Sequence, residues 1–310
     1  MRNLLISCVI LSALGSAAPA VAQVRGAVPA IVPVPDPGSF ESRRIVVERR
    51  GNVGGPPVIL LPGMASTSAV WEKVLPALER RYDLHLVTVR GFGEYEAGDN
   101  ASGLISAPAA NEVRRYVQEQ GLQRPALIGH SMGGQMALRI AADGGEEIGR
   151  VMVVDSSPFF PALIDRGMSV GDVEPFARLA FQIVSMLGDE VLRSRAPNMG
   201  LDLSGAAGSV FDGLGWQGGD RRVLAQSLYE VLTTDLRHRL PEIVAPVTVV
   251  YGWSEDSENP RAQVDGAFRY SFMNLRAPAR FVRMTGAEHM VMIDTPRQFE
   301  RAVIEFLGQR

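Results

Sequence analysis

From residue 44 onward, short apolar runs alternate with longer amphipathic stretches, and this alternation restricts the fold more than any other feature of the chain. The runs Ile45–Val47, Val58–Leu61, Leu84–Val89, Ala126–Ile128, Val151–Val154, Val247–Tyr251 and Arg280–Met284 are apolar or β-branched and bounded by turn residues. Such runs read as buried strands of a mostly parallel sheet. Helices are predicted between them over Ser68–Glu79, Pro108–Gln120, Met132–Ala142, Arg261–Leu275 and Pro296–Leu307. Gly121 is placed to close the second in a left-handed C-cap, and Thr295-Pro296 to open the last with an N-cap and a proline in the first turn. Strand–helix alternation at this spacing implies right-handed crossovers, a doubly wound α/β sheet and helices on both faces.

The alternation stops between Ser157 and Val244. That stretch carries Phe159, Phe160, Phe176, Phe181, Met186, Met199, Phe211 and Trp216, with many glycines from Gly200 to Gly219. An aromatic and methionine-rich insertion late in a doubly wound sheet, at about 158–244, reads as a cap over a pocket. A helical excursion packing its own small core is the alternative. Ahead of the sheet, residues 1–22 have a positive start at Arg2, an apolar run from Leu4 to Leu14, and Ala20-Val21-Ala22. This is the pattern of a secretory signal peptide, with an apolar core too short for a membrane span, so the mature chain is expected to be periplasmic or extracellular. Residues 23–42 hold Pro29, Pro33, Pro35 and Pro37 and suit an extended arm leading into one domain over 43–310.

Composition excludes several classes. The only cysteine, Cys8, lies within the leader, so the mature chain has neither disulfides nor thiolate metal sites. Four histidines (His85, His130, His238, His289), none at ligand spacing, leave no metal site, and no cofactor is implied. The net charge of −3 provides no basic footprint for nucleic acid. With 46% hydrophobic residues the chain can bury one large core.

The chemistry centres on Gly129-His130-Ser131-Met132-Gly133, followed by Gly134. It comes straight after an apolar run and opens an amphipathic helix, which is the strand–turn–helix setting of a G-x-S-x-G nucleophile elbow. The turn lifts the Ser131 hydroxyl above the sheet edge, beside a helix N-terminus that favours developing negative charge. A serine nucleophile needs a base. His289 follows a predicted strand and the turn Thr285-Gly286-Ala287-Glu288, so its imidazole is the candidate; His130, inside the elbow, and His85 and His238, far from any strand C-terminus, are not.

These features resemble a single-domain α/β-hydrolase of the esterase, lipase and perhydrolase superfamily, over about residues 44–308. The resemblance rests on Leu61-Pro62-Gly63-Met64, Arg90-Gly91-Phe92-Gly93, Gly129–Gly134, Val153-Val154-Asp155, Val249–Gly252, and Gly286–Met292 with Asp294. It implies the α/β-hydrolase fold with an inserted cap and a Ser–acid–His triad. The acid is expected in the loop after Val247–Tyr251, where Asp256 precedes Pro260 by four residues; Glu255 and Asp155 are the alternatives. Backbone N–H groups of Met132 and Met64 are the expected oxyanion donors, although proline at 62 replaces the histidine that often braces that loop. The implied activity is hydrolysis of a small-molecule carboxylic ester through an acyl-enzyme. A lactonase, amidase, carbon–carbon hydrolase or acyltransferase shares the same machinery, and a pocket that binds without turnover is a third reading. Oligomeric state is not legible.

Overall fold

The computed structural model of the protein describes residues 39–186, 218–257 and 259–308. The expected leader, nearly all of the proline-rich arm and the middle of the expected cap, including Met199, Phe211 and Trp216, lie outside the described residues.

Eight strands form one sheet: β1 (Phe40–Glu41), β2 (Ile45–Gly51), β3 (Pro57–Leu61), β4 (Asp83–Val89), β5 (Ala126–His130), β6 (Arg150–Val154), β7 (Val247–Trp253) and β8 (Arg280–Thr285). Their order is β1-β2-β4-β3-β5-β6-β7-β8. From β4 to β8 every pair is parallel, and β1 and β2 form an antiparallel edge. The seven predicted strands are all present. The two-residue β1 is too short to leave a periodic signal. β2 runs on past Val47 through Glu48-Arg49-Arg50, where Arg49 forks onto the Asp83 carboxylate of β4 at 2.8 and 2.5 Å.

Strand side chains point alternately to opposite faces, and the core divides by this rule. Ile45, Val47, Ile59, Leu61, Val87, Val89, Leu127, Val151, Val153 and Val249 share one face with α2 (Ser106–Glu119) and α3 (Met132–Gly144). Val58, Leu60, Leu84, Leu86, Ile128, Met152, Val154 and Val250 face the other way, onto Trp71, Leu75, Phe299, Val303 and Phe306. Central strands therefore read as unbroken apolar runs because both faces are covered.

The stretch predicted as one helix over Ser68–Glu79 is a 3-10 turn at Ser68–Trp71 followed by the single turn α1, Leu75–Leu78. Pro76 lacks an amide hydrogen and its ring would meet the carbonyl four residues back, so a continuous helix through Glu72 is blocked. α2 ends as its sequence suggests: Gly121 has φ +62°, and the Leu122 N–H reaches the Val117 carbonyl in a Schellman closure. Between β6 and β7 the described chain is helical, with α4 (Pro161–Ile164), α5 (Val170–Met186) and α6 (Arg221–Thr233), and α5 packs on α6. α6 is tied to the sheet layer. The Glu230 carboxylate accepts the Ile105 and Ser106 N–H groups, each at 2.8 Å, at the start of α2. The segment before α6 bridges Phe92 through Gly219 and accepts the Gly93 N–H at the Gly218 carbonyl. The chain closes with α7 (Arg261–Ser271), which stops short of the predicted Leu275, then α8 (Val291–Asp294) and α9 (Pro296–Gly308).

Candidate active site

β5 and β6 run parallel with His130 opposite Val154, so the residues just past each, Ser131 and Asp155, emerge side by side at the same edge. Both have positive φ, +51° for Ser131 and +41° for Asp155. Non-glycine residues hold such angles only where surrounding structure imposes them, at a cost of about 1–3 kcal/mol each. The restraints are visible. The Ser131 N–H donates to the Val154 carbonyl at 3.0 Å, and the Asp155 N–H to the Val250 carbonyl at 2.7 Å. Ser156 Oγ donates to the Ser131 carbonyl at 2.6 Å. Ser131 is buried and serves as N-cap of α3.

The loop after β3 passes directly over the start of α3. A Cβ on Gly133 would collide with the carbonyl oxygens of Leu61 and Pro62, which is why the second glycine of the G-x-S-x-G motif is indispensable. That contact holds the chain leading into Gly63-Met64 against the start of α3, where Met132 stands. Among the described residues, no acceptor is paired with the backbone N–H of either methionine. Both are thus free to receive a negative oxygen.

His289 stands between β8 and α8. Its Nδ1 lies 2.7 Å from Asp155 Oδ2, and Asp155 Oδ1 accepts the Gly252 N–H at 2.9 Å. Nδ1 therefore carries the hydrogen, which leaves the lone pair on Nε2; that atom is buried and unpartnered. Asp294 Oδ2 accepts the Glu288 N–H at 3.0 Å and steadies the turn that carries His289.

The carboxylate beside His289 is thus Asp155 and not Asp256. β7 continues to Trp253, two residues beyond the predicted end, and the His289 loop crosses it at Gly252. The Gly286 N–H pairs with the Trp253 carbonyl, Trp253 bridges Ala287, and a Cβ on Gly252 would strike the Glu288 carbonyl oxygen. Glu255 and Asp256 lie past this crossing, in an exposed turn where the Asp256 N–H caps onto Ser254 Oγ. Asp155 sits on the near side, and its two oxygens span from β7 to the imidazole. Asp155 pairs with His289 and emerges beside Ser131, and the loop at Gly63 lies against the Ser131 side chain; Asp256 and Glu255 do not reach His289.

Residues 58–302 match the alpha/beta hydrolase family. The chain belongs to that family. Curated relatives of this alpha/beta hydrolase include the pimeloyl-[acyl-carrier protein] methyl ester esterases of Vibrio vulnificus and Aeromonas hydrophila. The first is 25% identical over 266 residues, covering 82% of this chain and 95% of the relative; the second is 28% identical over 278 residues, covering 85% and 99%. Among solved structures, a hydrolase from Pseudomonas aeruginosa superposes with a TM-score of 0.65 at 22% identity, over 86% of this chain and 94% of that one. Ser156, which holds the Ser131 carbonyl from 25 residues away, leaves no local signal in the sequence. Asp294 and His130 belong to stretches already singled out, but their bonds to the Glu288 N–H and to the His289 carbonyl are not legible from spacing. Among the described residues no helix is long and apolar enough to cross a membrane, and none of them form a group of ligating side chains suited to a metal ion.

Proposed function

We propose that the protein hydrolyses carboxylic esters, with Ser131 as nucleophile, His289 as general base and acid, and Asp155 as the carboxylate that orients His289. The reading is carried by the 2.7 Å bond from His289 Nδ1 to Asp155 Oδ2 beside a positive-φ Ser131. Its steps follow from which groups are free. Ser131 Oγ attacks the ester carbonyl as Nε2 of His289 takes its proton, and the tetrahedral oxygen receives the Met64 and Met132 N–H groups. Collapse breaks the C–O bond, the leaving alkoxide takes the proton from His289, and an acyl-Ser131 remains. Water attacks that ester with His289 again as base, the carboxylic acid leaves, and Ser131 is restored. Asp155 keeps its hydrogen bond to Nδ1 and stabilises the imidazolium.

That those relatives are methyl ester esterases supports a short alkyl group on the alcohol side. The apolar residues between β6 and β7 support a small to medium acyl chain on the other. The leader-like residues 1–22 support export to the periplasm or beyond, with Gln23 as first mature residue; amino-terminal sequencing of the protein recovered from cell fractions tests this. For the chemistry, the mature protein is offered short p-nitrophenyl esters and a fluorophosphonate probe. Turnover with one probe adduct on Ser131 is expected, and absence of both sinks the proposal.

A further inference from the structure

His130, one residue before Ser131, takes no part in the proton transfers above, yet its ring is fully buried. Burial first, and the neighbouring His289 second, push its pKa well below the usual histidine value, so the ring is neutral. Its Nε2 lies 3.0 Å from the backbone carbonyl oxygen of His289. A carbonyl only accepts, so Nε2 holds the hydrogen and Nδ1 the lone pair. The His130 and His289 rings lie 4.6 Å apart between centroids, at 49°. On its other side, Nδ1 is buried without a partner against Gly63; a Cβ there would stand 2.9 Å from Nδ1 and 3.1 Å from Ser131 Cβ.

One ring therefore joins three segments that are far apart in sequence. It is covalently next to Ser131, hydrogen-bonded to the backbone that carries His289, and packed against the loop that presents the Met64 N–H. We propose that His130 is a positioning residue that sets both loops at their working distance from Ser131. The inference rests on the reading of Ser131 and His289 as nucleophile and base. Asp155 fixes the rotation of the His289 ring, and bonds at Gly286 and Glu288 hold the turn before it; the bond from His130 is the one made to the His289 carbonyl itself. Gly63 leaves room for the ring, and the ring supplies the brace that Pro62 cannot. Neutrality matters too, because a cation 4.6 Å away would oppose the imidazolium that His289 becomes during turnover.

The test compares wild type with His130→Phe, His130→Gln and His130→Asn, using p-nitrophenyl butyrate turnover, the rate of fluorophosphonate labelling at Ser131, and melting temperature. Phenylalanine keeps the ring and loses the donor. The Gln amide reaches the His289 carbonyl, whereas the Asn amide is one carbon too short. His130→Phe and His130→Asn are expected to lose about 10- to 100-fold in kcat with KM nearly unchanged, since small misplacements of reacting groups cost that much. Labelling should slow in parallel, and His130→Gln should regain most of the loss. If the Phe variant does not fold, the Gln–Asn contrast decides. Wild-type kcat in His130→Phe or in His130→Asn, or no advantage of Gln over Asn at equal melting temperature, overturns this inference alone. A wild type that neither turns over nor labels overturns it together with the functional reading.

Discussion

At the scale of single residues, the arrangement separates three carboxylates that look interchangeable along the chain. Asp155→Asn would keep the shape but remove the charge that stabilises the His289 imidazolium and holds the hydrogen on Nδ1. Under the proposed mechanism a loss of about 10⁴-fold in kcat is expected, with protein still folded by circular dichroism. Asp256→Asn and Glu255→Gln, on an exposed turn, are expected to stay within about twofold of wild type, as surface changes away from a site usually do. Steady-state kinetics on one p-nitrophenyl ester settles the order, and a severe loss in Asp256→Asn would reverse the assignment. The turn at Ser131 and the loop that carries His289 were legible because a strand–turn–helix motif and a histidine before the last helix are local patterns. The carboxylate that pairs with His289 was not, because both Asp155 and Asp256 follow a strand. What separates them is where the His289 loop crosses β7, a contact between residues 252 and 288 that spacing does not encode.

At the scale of elements, β2, β4 and α2 share a largely buried polar network at the antiparallel side of the sheet. His85 Nδ1 lies 2.7 Å from the Tyr116 hydroxyl, and its Nε2 stands 3.5 Å from Asp83, which Arg49 already holds. Burial, only partly opposed by Asp83, pushes the His85 pKa down from 6.5 to about 4. The folded protein thus resists a proton that the unfolded chain accepts below about pH 6.5. Stability from this group is therefore undiminished above that pH and lost steadily as pH falls toward 4. Urea unfolding at pH 7 and pH 4.5 should differ by about 2 kcal/mol more in wild type than in His85→Phe, given about 1.4 kcal/mol per pH unit. Equal pH dependence in the two proteins would contradict it. α6 makes a second case. Replacing Glu230 by Leu strands the Ile105 and Ser106 N–H groups in a buried place, which is expected to lower stability by about 1–3 kcal/mol. Denaturant melts check this, and Glu230→Gln, which keeps an acceptor, should suffer less. Most strands and helices were legible because each face or stripe repeats with its own period. The helix broken at Pro76 and the two-residue β1 were not, since one depends on a single residue and the other on pairing with β2.

At the scale of the whole molecule, the two apolar layers are separate in composition yet share every central strand. Trp71 and Phe299 are fully buried and stack at 6.1 Å on the face formed by α1 and α9, while α2 and α3 cover the other. Ser131 and Asp155 sit at the ends of strands that belong to both layers, so weakening either layer should loosen the site and the sheet together. Phe299→Ala removes a ring from a closed core and is expected to cost about 3–5 kcal/mol. In a single cooperative domain that loss shifts every signal equally. The urea midpoint for far-ultraviolet circular dichroism and the midpoint for fluorophosphonate labelling of Ser131 should fall together in Phe299→Ala. Labelling lost at distinctly lower urea than the sheet signal would mean that the site unfolds as a unit of its own. The segment between β6 and β7 enters the same experiment, because α6 is bonded to the start of α2 and to the chain around Phe92. A segment that moved independently of the sheet would let labelling change ahead of the global transition in wild type as well, whereas one anchored through Glu230 and Gly219 gives one transition in both proteins.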